Sequence, residues 1–252
     1  MMQLKQLCDF CDDYLRIGEF DDYCPNGLQV EATSEVNHIV AGVTASLDLI
    51  EAAIEQKADT LLVHHGYFWK GEAQPLTGFK GRRIRALIKN NLNLIAYHLP
   101  LDAHPEVGNN MQLARIMGWE VQGSFGSVGL HDIVQNGVLP VPMTLAELSE
   151  SIAARLNTKP LSISSGDRAV RTIAWCTGAA QGYIEQAAER GIDAFVSGEV
   201  SEHTFHFARE AGIHYIAAGH HATERYGVQA LAAVIEQKFG LRQQFIDIPN
   251  PV

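Results

Sequence analysis

Apolar residues form two alternating patterns along the chain, and the order of these patterns predicts the fold class. Uninterrupted apolar runs at 39–43, 60–63 and 92–97 are typical of strands in a parallel sheet that is covered on both faces. Between these runs, apolar residues recur at helical spacing over 47–56 and 82–89. The alternation of strands and helices therefore predicts an α/β fold.

The same order of elements returns in the second half of the chain. Apolar runs at 173–177, 194–196 and 213–218 predict three strands, and helical patterns at 181–190 and 204–211 separate them. A shift of 134 positions superposes four identical residues, namely Ile50 on Ile184, Glu51 on Glu185, Ala53 on Ala187 and Asp59 on Asp193. We therefore predict two duplicated α/β domains with largely parallel sheets.

The composition changes between the two repeats. Residues 122–170 are rich in glycine and proline, which predicts loops at an insertion or a domain junction. Within this stretch, a capping box at Thr144 predicts a helix over 145–156. We predict a first domain over 1–125 and a second over 126–252, whose C-terminal part returns ligands to a site shared with the first domain.

Composition and charge place the chain among ordinary globular proteins. Apolar residues make up 46% and charged residues 19% of its 252 positions, which excludes a disordered chain. The net charge of −10 disfavours nucleic acids and anionic membranes as partners, although a local site can still be positive. The sequence shows no run of 18 apolar residues and no apolar leader, so we expect a cytoplasmic protein without a membrane-spanning helix.

Cysteine usage points to buried thiols. Of the 4 cysteines, Cys8 and Cys11 form a CxxC pair, but no second pair or nearby histidine completes a zinc knuckle. Both residues lie on the apolar stripe of a helix predicted over 3–16, so buried thiols are favoured over a metal site.

Histidine is the unusual residue, with 11 copies that include three short clusters. The first cluster, His64 and His65, directly follows the strand predicted to end at Val63, and Gly66 lets the chain leave the sheet. Both rings can then turn toward the carboxyl edge of the sheet, where open α/β sheets bind their ligands. Two exposed loop histidines are the alternative interpretation.

The second cluster follows the strand that is predicted to end at Tyr97. It contains His98, Asp102 and His104, and Pro100 between them predicts an extended loop rather than a helix. Asp102 is then either a metal ligand or only the cap of a turn.

The third cluster follows the strand that is predicted to end at Ala218. A helix that starts here would place His220 and Glu224 four positions apart on one face, with His221 beside them. A core histidine with a surface glutamate is the alternative interpretation.

The three clusters together predict a metal centre. They supply imidazoles and carboxylates but no thiolate, which is the ligand set that Zn²⁺, Mn²⁺, Fe²⁺, Co²⁺ or Ni²⁺ accepts. One open zinc site needs three protein ligands, so five donors fit two divalent ions, bridged by a carboxylate and a water, better than one. The five candidate ligands are His64, His65, Asp102, His220 and Glu224.

Other residues near the clusters are candidates for supporting roles. His98, His104 and His221 would orient the ligands or carry protons. The segment 67–70, Tyr-Phe-Trp-Lys, would stack a base and bind a phosphate, or else form an oligomer contact. The sequence contains no GxxxxGK[ST], GxGxxG or GxSxG motif, which disfavours Walker-type, dinucleotide-binding and α/β-hydrolase sites.

Seven segments of the chain carry a family resemblance. They are PNGLQV at 25–30, GVTAS at 42–46, VHHGYFWKG at 63–71, HLPLDAHPEVGNN at 98–110, GEVSE at 198–202, AAGHHATER at 217–225 and the terminal IDIPNP. These segments resemble the GTP cyclohydrolase 1 type 2 homologues, also called the NGG-interacting-factor-three-like family, and especially its YbgI-type bacterial branch. The resemblance implies two interlinked α/β domains, a dinuclear metal centre and a toroidal homohexamer. The family's ligands fall on the same five residues.

The resemblance also implies a function. The family name implies that metal-activated water opens the imidazole ring of GTP, so the first hypothesis is a metal-dependent hydrolase of a small molecule, for which a nucleotide is one candidate. The second hypothesis is a non-enzymatic, metal-stabilised ring that binds a protein or nucleic-acid partner, with a link to DNA-damage resistance. Turnover by the purified protein distinguishes the two hypotheses.

Overall fold

Two compact units make up residues 2–252, the part of the chain that the computed structural model describes. Unit 1 comprises the chain up to Val107 together with Gly227–Pro249, and unit 2 comprises Gly108–Tyr226 together with Asn250–Val252. The predicted boundary at 125/126 differs from this division. The reason is that residues just after 108 form a helix and a strand that pack and pair within unit 2.

Helices and strands alternate through most of the described chain. The α-helices of residues 2–252 are α1 (Leu4–Leu15), α2 (Leu47–Glu55), α3 (Gly78–Lys89), α4 (Leu99–Ala103), α5 (Asn109–Met117), α6 (Leu145–Leu156), α7 (Ile184–Glu189), α8 (Glu202–Ala211) and α9 (His220–Phe239). The strands are β1 (Met2–Gln3), β2 (Gly27–Val30), β3 (Glu35–Val36), β4 (His38–Thr44), β5 (Thr60–His65), β6 (Asn93–Ala96), β7 (Glu120–Val128), β8 (His131–Met143), β9 (Leu161–Ile163), β10 (Val170–Cys176), β11 (Ala194–Ser197), β12 (His214–Ala217) and β13 (Arg242–Phe245). None of the helices in this described part has the length and apolar content to cross a membrane.

The main sheet of unit 1 has the strand order β13-β4-β5-β6-β2. Strands β13, β4, β5 and β6 run parallel, and β2 pairs antiparallel with β6 at one edge. Parallel sheets of this kind carry helices on both faces. The prediction of an α/β fold with parallel strands is confirmed.

Alternate residues of these strands pack toward opposite faces of the sheet. Ile39 and Leu62 belong to a buried cluster with α1 and the later turns of α9. Val40 and Leu61 belong to a second cluster with α2 and α3. Because neighbouring side chains of a strand point in opposite directions, uninterrupted apolar runs are what a sheet covered on both faces requires.

The cysteines of α1 are buried thiols, as predicted. Cys8 and Cys11 lie in the cluster between α1 and the sheet. Burial raises the pKa of Cys8 to about 12, and the charges of Asp12 and Asp9 add to this effect. The Cys8 thiol therefore stays protonated at neutral pH.

The sheet of unit 2 has the strand order β7-β8-β10-β11-β12-β9. Its three central strands, β10, β11 and β12, are parallel, whereas β8 and β9 pair antiparallel with them. Helices α5 and α6 pack on a buried cluster that includes Ile173 and Trp175. Helices α7 and α8 contact β11 and β12.

The two units repeat one arrangement of elements. The order β4-α2-β5-α3-β6 in unit 1 matches β10-α7-β11-α8-β12 in unit 2. The residues Asp59 and Asp193, which the sequence shift aligns, play the same structural part. Each carboxylate accepts hydrogen bonds from two successive main-chain N–H groups at the start of the first strand: Asn37 and His38 for Asp59, Arg171 and Thr172 for Asp193. This shared detail supports the predicted duplication.

The glycines of the segment between the repeats predicted a loop region, and this prediction is wrong. Strands β7 and β8 form a long antiparallel hairpin instead. The structure gives the physical reason for one of the glycines: a Cβ at Gly137 would lie 1.8 Å from the main-chain oxygen of Glu120. Glycine here permits close approach of two strands. The predicted helix over 145–156 is confirmed as α6, with the capping box at Thr144.

The prediction of an extended loop around Pro100 is wrong. Residues Leu99–Ala103 form the short helix α4, and Pro100 lies in its first turn. Proline is tolerated there because the first N–H groups of a helix have no partner within the helix. Asp102 is therefore on a helix, and its N–H donates to the carbonyl oxygen of His98 at 3.1 Å.

Candidate functional site

His64 and His65 lie at the carboxyl end of β5, which continues through both residues. The His64 ring is fully buried, and its Nδ1 donates to the main-chain oxygen of Tyr97 at 2.8 Å. His65 Nδ1 lies 3.2 Å from the hydroxyl of Thr44. The ring centres are 4.6 Å apart, so two neighbouring residues present their imidazoles together where the chain turns out of the sheet at Gly66.

Asp102 brings a buried carboxylate to His64. Its position on α4 places Oδ1 3.5 Å from Nε2 of His64, and Asp102 is only 4% exposed. A carboxylate this deeply buried needs a cation or hydrogen-bond donors close by. Unit 1 thus brings together three of the five predicted ligands.

His98 joins the same group of side chains. Its ring centre lies 5.1 Å from that of His64 and 5.7 Å from that of His65. The three residues each offer a ring nitrogen within 4.8 Å of the others. Asp22, which the sequence did not single out, accepts a hydrogen bond from His98 Nδ1 at 2.9 Å. His98 therefore presents Nε2 toward the group.

An aromatic wall stands beside these histidines. The ring of Trp69 meets His98 edge to face at 5.0 Å, and Tyr23 does the same at 5.3 Å. Tyr67, in contrast, is buried, and its hydroxyl donates to the main-chain oxygen of Ala45 at 2.7 Å. Tyr67 is thus a core residue and is not available for the stacking role that the sequence suggested.

His104 and His221 are the remaining supporting candidates. His104 Nε2 donates to the main-chain oxygen of Tyr14, and its Nδ1 accepts from the N–H groups of Glu106 and Val107. Both ring nitrogens are thus used to shape a turn, which gives His104 a structural part. His221 is the second residue of α9, and its side chain is buried.

Unit 2 brings together the other two predicted ligands. His220 and Glu224 lie in the first two turns of α9, and His220 Nε2 is 3.0 Å from Glu224 Oε2. Glu224 is 3% exposed. Burial lowers the pKa of His220, but the hydrogen bonds and charges of Glu224 and Glu199 outweigh burial and raise this pKa to about 9. The two carboxylates therefore favour a positive charge at the His220 ring.

Two glycines make room for this pair. A Cβ at Gly178 would lie 2.1 Å from Glu224 Oε1 and 3.3 Å from His220 Nε2. A Cβ at Gly198 would lie 2.7 Å from the Cα of His220. The main chain at the ends of β10 and β11 thus approaches the candidate ligands more closely than any other residue type would allow.

Glu199 also contacts this pair, and the sequence did not single it out. Its Oε1 accepts a hydrogen bond from His220 Nδ1 at 2.7 Å. A signal for it existed, because the shift of 134 positions that relates the repeats places Glu199 on His65. The GEVSE segment that contains Glu199 had no assigned role.

The donors of both units fit divalent transition-metal ions. His64 and His220 each use Nδ1 as a donor to a protein oxygen, so the lone pair of the neutral ring is on Nε2. In both cases Nε2 faces a carboxylate oxygen. The lone pairs of Nε2 and of the carboxylate oxygen repel each other unless a proton or a metal ion lies between them. A histidine that binds a metal usually has its other ring nitrogen hydrogen-bonded to an oxygen, as both histidines have here.

Comparison with known proteins agrees with the fold and identifies the family. The family model described as Duf34/NIF3 (NGG1p interacting factor 3) matches residues 2–251. The GTP cyclohydrolase 1 type 2 homolog of Pseudomonas aeruginosa is 53% identical, over 98% of either chain. The solved structure described as protein ybgI, of unknown function, superposes with a TM-score of 0.96 at 47% identity, and TTHA1606 from Thermus thermophilus with 0.90 at 37%, each over 100% of both chains. The chain belongs to the Duf34/NIF3 family.

Proposed function

We propose that the protein is a hydrolase that depends on two divalent metal ions. Zn²⁺, Mn²⁺, Fe²⁺, Co²⁺ and Ni²⁺ are the candidate ions for a site of nitrogen and oxygen donors. The ligands of this proposed centre are His64, His65 and Asp102 of unit 1 and His220 and Glu224 of unit 2. The proposal requires the donors of the two units to serve one centre.

One observation supports the proposal most directly. In each unit, an imidazole lies next to a buried carboxylate near the carboxyl end of the parallel strands. The distances are 3.5 Å for His64 and Asp102 and 3.0 Å for His220 and Glu224. Helix α9 carries the second pair in unit 2, and from Gly227 onward the chain belongs to unit 1. A duplicated fold with a donor pair in each half is suited to binding a pair of ions.

Such a centre would supply a nucleophile and a positive charge. When bound, a pair of divalent ions activates water for attack at neutral pH and polarises the bond under attack. As ligands, Asp102 and Glu224 would offset half of the charge of two divalent ions, and Asp22 and Glu199, which contact His98 and His220, would offset part of the rest, so the remaining positive charge would be concentrated at the ions themselves. This charge suits an anionic or carbonyl-bearing substrate.

The neighbouring side chains would position water and substrate. Asp22 holds Nδ1 of His98, so Nε2 is the nitrogen that can hydrogen-bond a water or a polar substrate group. Trp69 and Tyr23 form the aromatic wall beside His98 and would contact a planar substrate. Neither role is assigned to His104, whose ring nitrogens are engaged by the main chain.

The names of the relatives suggest which substrate class to test first. Curated relatives at about half identity carry the name GTP cyclohydrolase 1 type 2 homolog. We therefore place hydrolysis of a carbon–nitrogen bond in a purine nucleotide first among the reactions to test. The donor set supports metal-dependent hydrolysis in general, whereas the choice of a nucleotide rests on these names and on the aromatic wall.

We further propose a toroidal homohexamer in the cytoplasm. The family resemblance supports the ring. The cysteines, all of which lie in the described part of the chain, are free and buried, and this fits a reducing compartment. A monomeric mass in light scattering at micromolar concentration would contradict the ring.

Metal content and turnover test the proposed function. Metal-loaded protein should carry about two ions per chain and hydrolyse a member of a panel of nucleotides, phosphoesters and cyclic amides. We expect His64→Ala and Glu224→Ala each to lower bound metal and to abolish hydrolysis, whereas Glu202→Ala, on the exposed surface of α8, should change neither. Two ions retained in Glu224→Ala would contradict its role as a ligand.

The same variants separate the enzyme from a non-enzymatic, metal-stabilised ring. If the wild type binds two ions but turns over nothing in the panel, and metal loss in His64→Ala dissociates the oligomer, the ring hypothesis is favoured. Turnover that persists unchanged in both ligand variants would contradict a hydrolase that depends on these metal ligands.

A further inference from the structure

The contact between Glu199 and His220 determines that Nδ1 of the imidazole carries a proton. Its Oε1 lies 2.7 Å from Nδ1 of His220. An ionised carboxylate can only accept a hydrogen bond, so His220 carries a proton on Nδ1. Nε2 is then the nitrogen that faces Glu224, at 3.0 Å.

The main chain around Glu199 is held from several sides. The hydroxyl of Tyr215 donates to the main-chain oxygen of Glu199. On the preceding residue, Gly198 N–H donates to the oxygen of Gly178 at 2.8 Å, and Gly198 O accepts from Gly219 at 3.0 Å. The carboxylate of Glu199 is therefore presented by a fixed backbone and not by a mobile loop.

The repeat gives Glu199 a counterpart in unit 1. The shift of 134 positions that aligns Asp59 with Asp193 also aligns His65 with Glu199. His65 is the last residue of the second strand of its repeat, and Glu199 lies just beyond the end of the corresponding strand. In unit 1 this position carries a proposed ligand, and in unit 2 it carries a carboxylate that touches a proposed ligand.

We propose that Glu199 is a positioning residue of the metal centre, which holds the ring of His220 with Nδ1 protonated and Nε2 directed at the ion. This inference rests on the proposed function, in which His220 is a ligand. A carboxylate that holds the far nitrogen of a metal-binding histidine makes the ring a better ligand and restricts its rotation, and loss of such a partner costs about 10–100-fold in metal affinity.

A set of three variants tests the inference in the full-length protein. Glu199→Leu removes the acceptor, and Glu199→Gln keeps an acceptor oxygen without the charge. The matched control is Glu202→Leu, because Glu202 makes the same kind of contact with His206, at 3.1 Å, on the exposed face of α8. Zn²⁺ affinity is measured by competition with a chromophoric chelator, and circular dichroism establishes that each variant is folded.

We expect Glu199→Leu to weaken Zn²⁺ binding by about 10–100-fold, Glu199→Gln to weaken it less, and Glu202→Leu to match the wild type. Nitrogen-15 NMR of the zinc-loaded wild type should show His220 protonated at Nδ1, and Glu199→Leu should broaden or shift this resonance. An equal fall in affinity in the Glu202 control would overturn the inference, because the effect would then be one of net charge.

The outcomes separate this inference from the proposed function. Wild-type protein that binds none of Zn²⁺, Mn²⁺, Fe²⁺, Co²⁺ and Ni²⁺ would overturn both. Wild-type protein that binds Zn²⁺ with an affinity within twofold of Glu199→Leu would overturn the role of Glu199 alone. If Glu199→Leu does not fold, Glu199→Gln decides, since an unchanged affinity together with an unchanged His220 resonance in that variant contradicts the inference.

Discussion

Among single residues, Gly178 determines how closely the main chain approaches the proposed ligands of unit 2. A Cβ at this position would lie 2.1 Å from Oε1 of Glu224. Glu224 is buried and has little room to move away. The backbone at Gly178 also has φ +67°, a left-handed conformation that costs other residues about 1–2 kcal/mol.

We expect Gly178→Ala to displace the carboxylate of Glu224, to lower the bound metal, and to reduce the free energy of unfolding by about 1–2 kcal/mol. Elemental analysis and thermal unfolding measure the two effects. Gly182→Ala, in the short 3-10 helix that follows between β10 and α7, is the matched control, because beyond its own chain neighbours no described atom lies within 4 Å of a Cβ there. Metal content and stability that are equal in the two variants would contradict this role of Gly178.

The sequence indicated the candidate ligands but not Asp22 and Glu199, the carboxylates that contact His98 and His220. The candidate ligands could be singled out because each cluster follows an apolar strand, and the carboxyl ends of parallel strands are where α/β folds bind ligands. Asp22 and Glu199 lie among other acidic residues, and local sequence does not distinguish them. Their importance comes from contacts with His98 and His220, residues that are 76 and 21 positions away.

At the level of secondary structure, local sequence patterns predicted the regular helices and strands correctly. They failed where contacts with distant residues determine the conformation of a segment. The period of apolar residues predicted the strands around both repeats. Pro100 predicted a loop, yet a proline in the first turn is compatible with α4. The glycines of 122–170 predicted loops, yet the hairpin β7–β8 uses Gly137 for close strand approach. A residue type permits several structures, and its neighbours in space select one.

Asp22 joins an irregular segment of unit 1 to the start of α4. Its carboxylate accepts hydrogen bonds from His98 Nδ1, from the N–H of Leu99 and from the side chain of Asn26. Burial raises the pKa of Asp22, but these hydrogen bonds and the charge of His98 outweigh burial and lower this pKa from 3.8 to about 2. The folded state thus favours the ionised carboxylate more than the unfolded state does.

We expect Asp22→Asn to lower the free energy of unfolding by about 2 kcal/mol at neutral pH. Because the pKa is lower in the folded state, the contribution of Asp22 is present in full above about pH 4 and is lost as the pH falls toward about 2. Urea unfolding of both proteins across this range measures it. Asp21→Asn, at the exposed neighbouring residue, is the control variant. If the difference in free energy of unfolding between wild type and Asp22→Asn stayed constant down to pH 2, the lowered pKa of Asp22 would be contradicted.

For the molecule as a whole, the sequence predicted two α/β units but not their boundary. Strand β13 pairs with β4, so Arg242 lies opposite His38, and the end of the chain completes the first sheet. The later turns of α9 likewise contribute Val228, Leu231 and Ile235 to the core of unit 1. Local patterns show that a segment is a strand or a helix, but they do not show which sheet it joins.

The division into units predicts which fragments fold. A fragment of residues 108–226 contains the whole six-stranded sheet of unit 2 and its buried cluster, so we expect cooperative thermal unfolding and dispersed amide resonances. A fragment of residues 1–125 lacks β13 and the apolar side chains of α9, so a face of its sheet would be exposed, and we expect it to be unfolded or aggregated. Adding residues 227–249 through a linker in place of unit 2 should restore folding of unit 1. If 1–125 folds alone while 108–226 does not, the boundary lies at 125/126 after all, because the stability of a domain follows from which apolar surfaces its own chain covers.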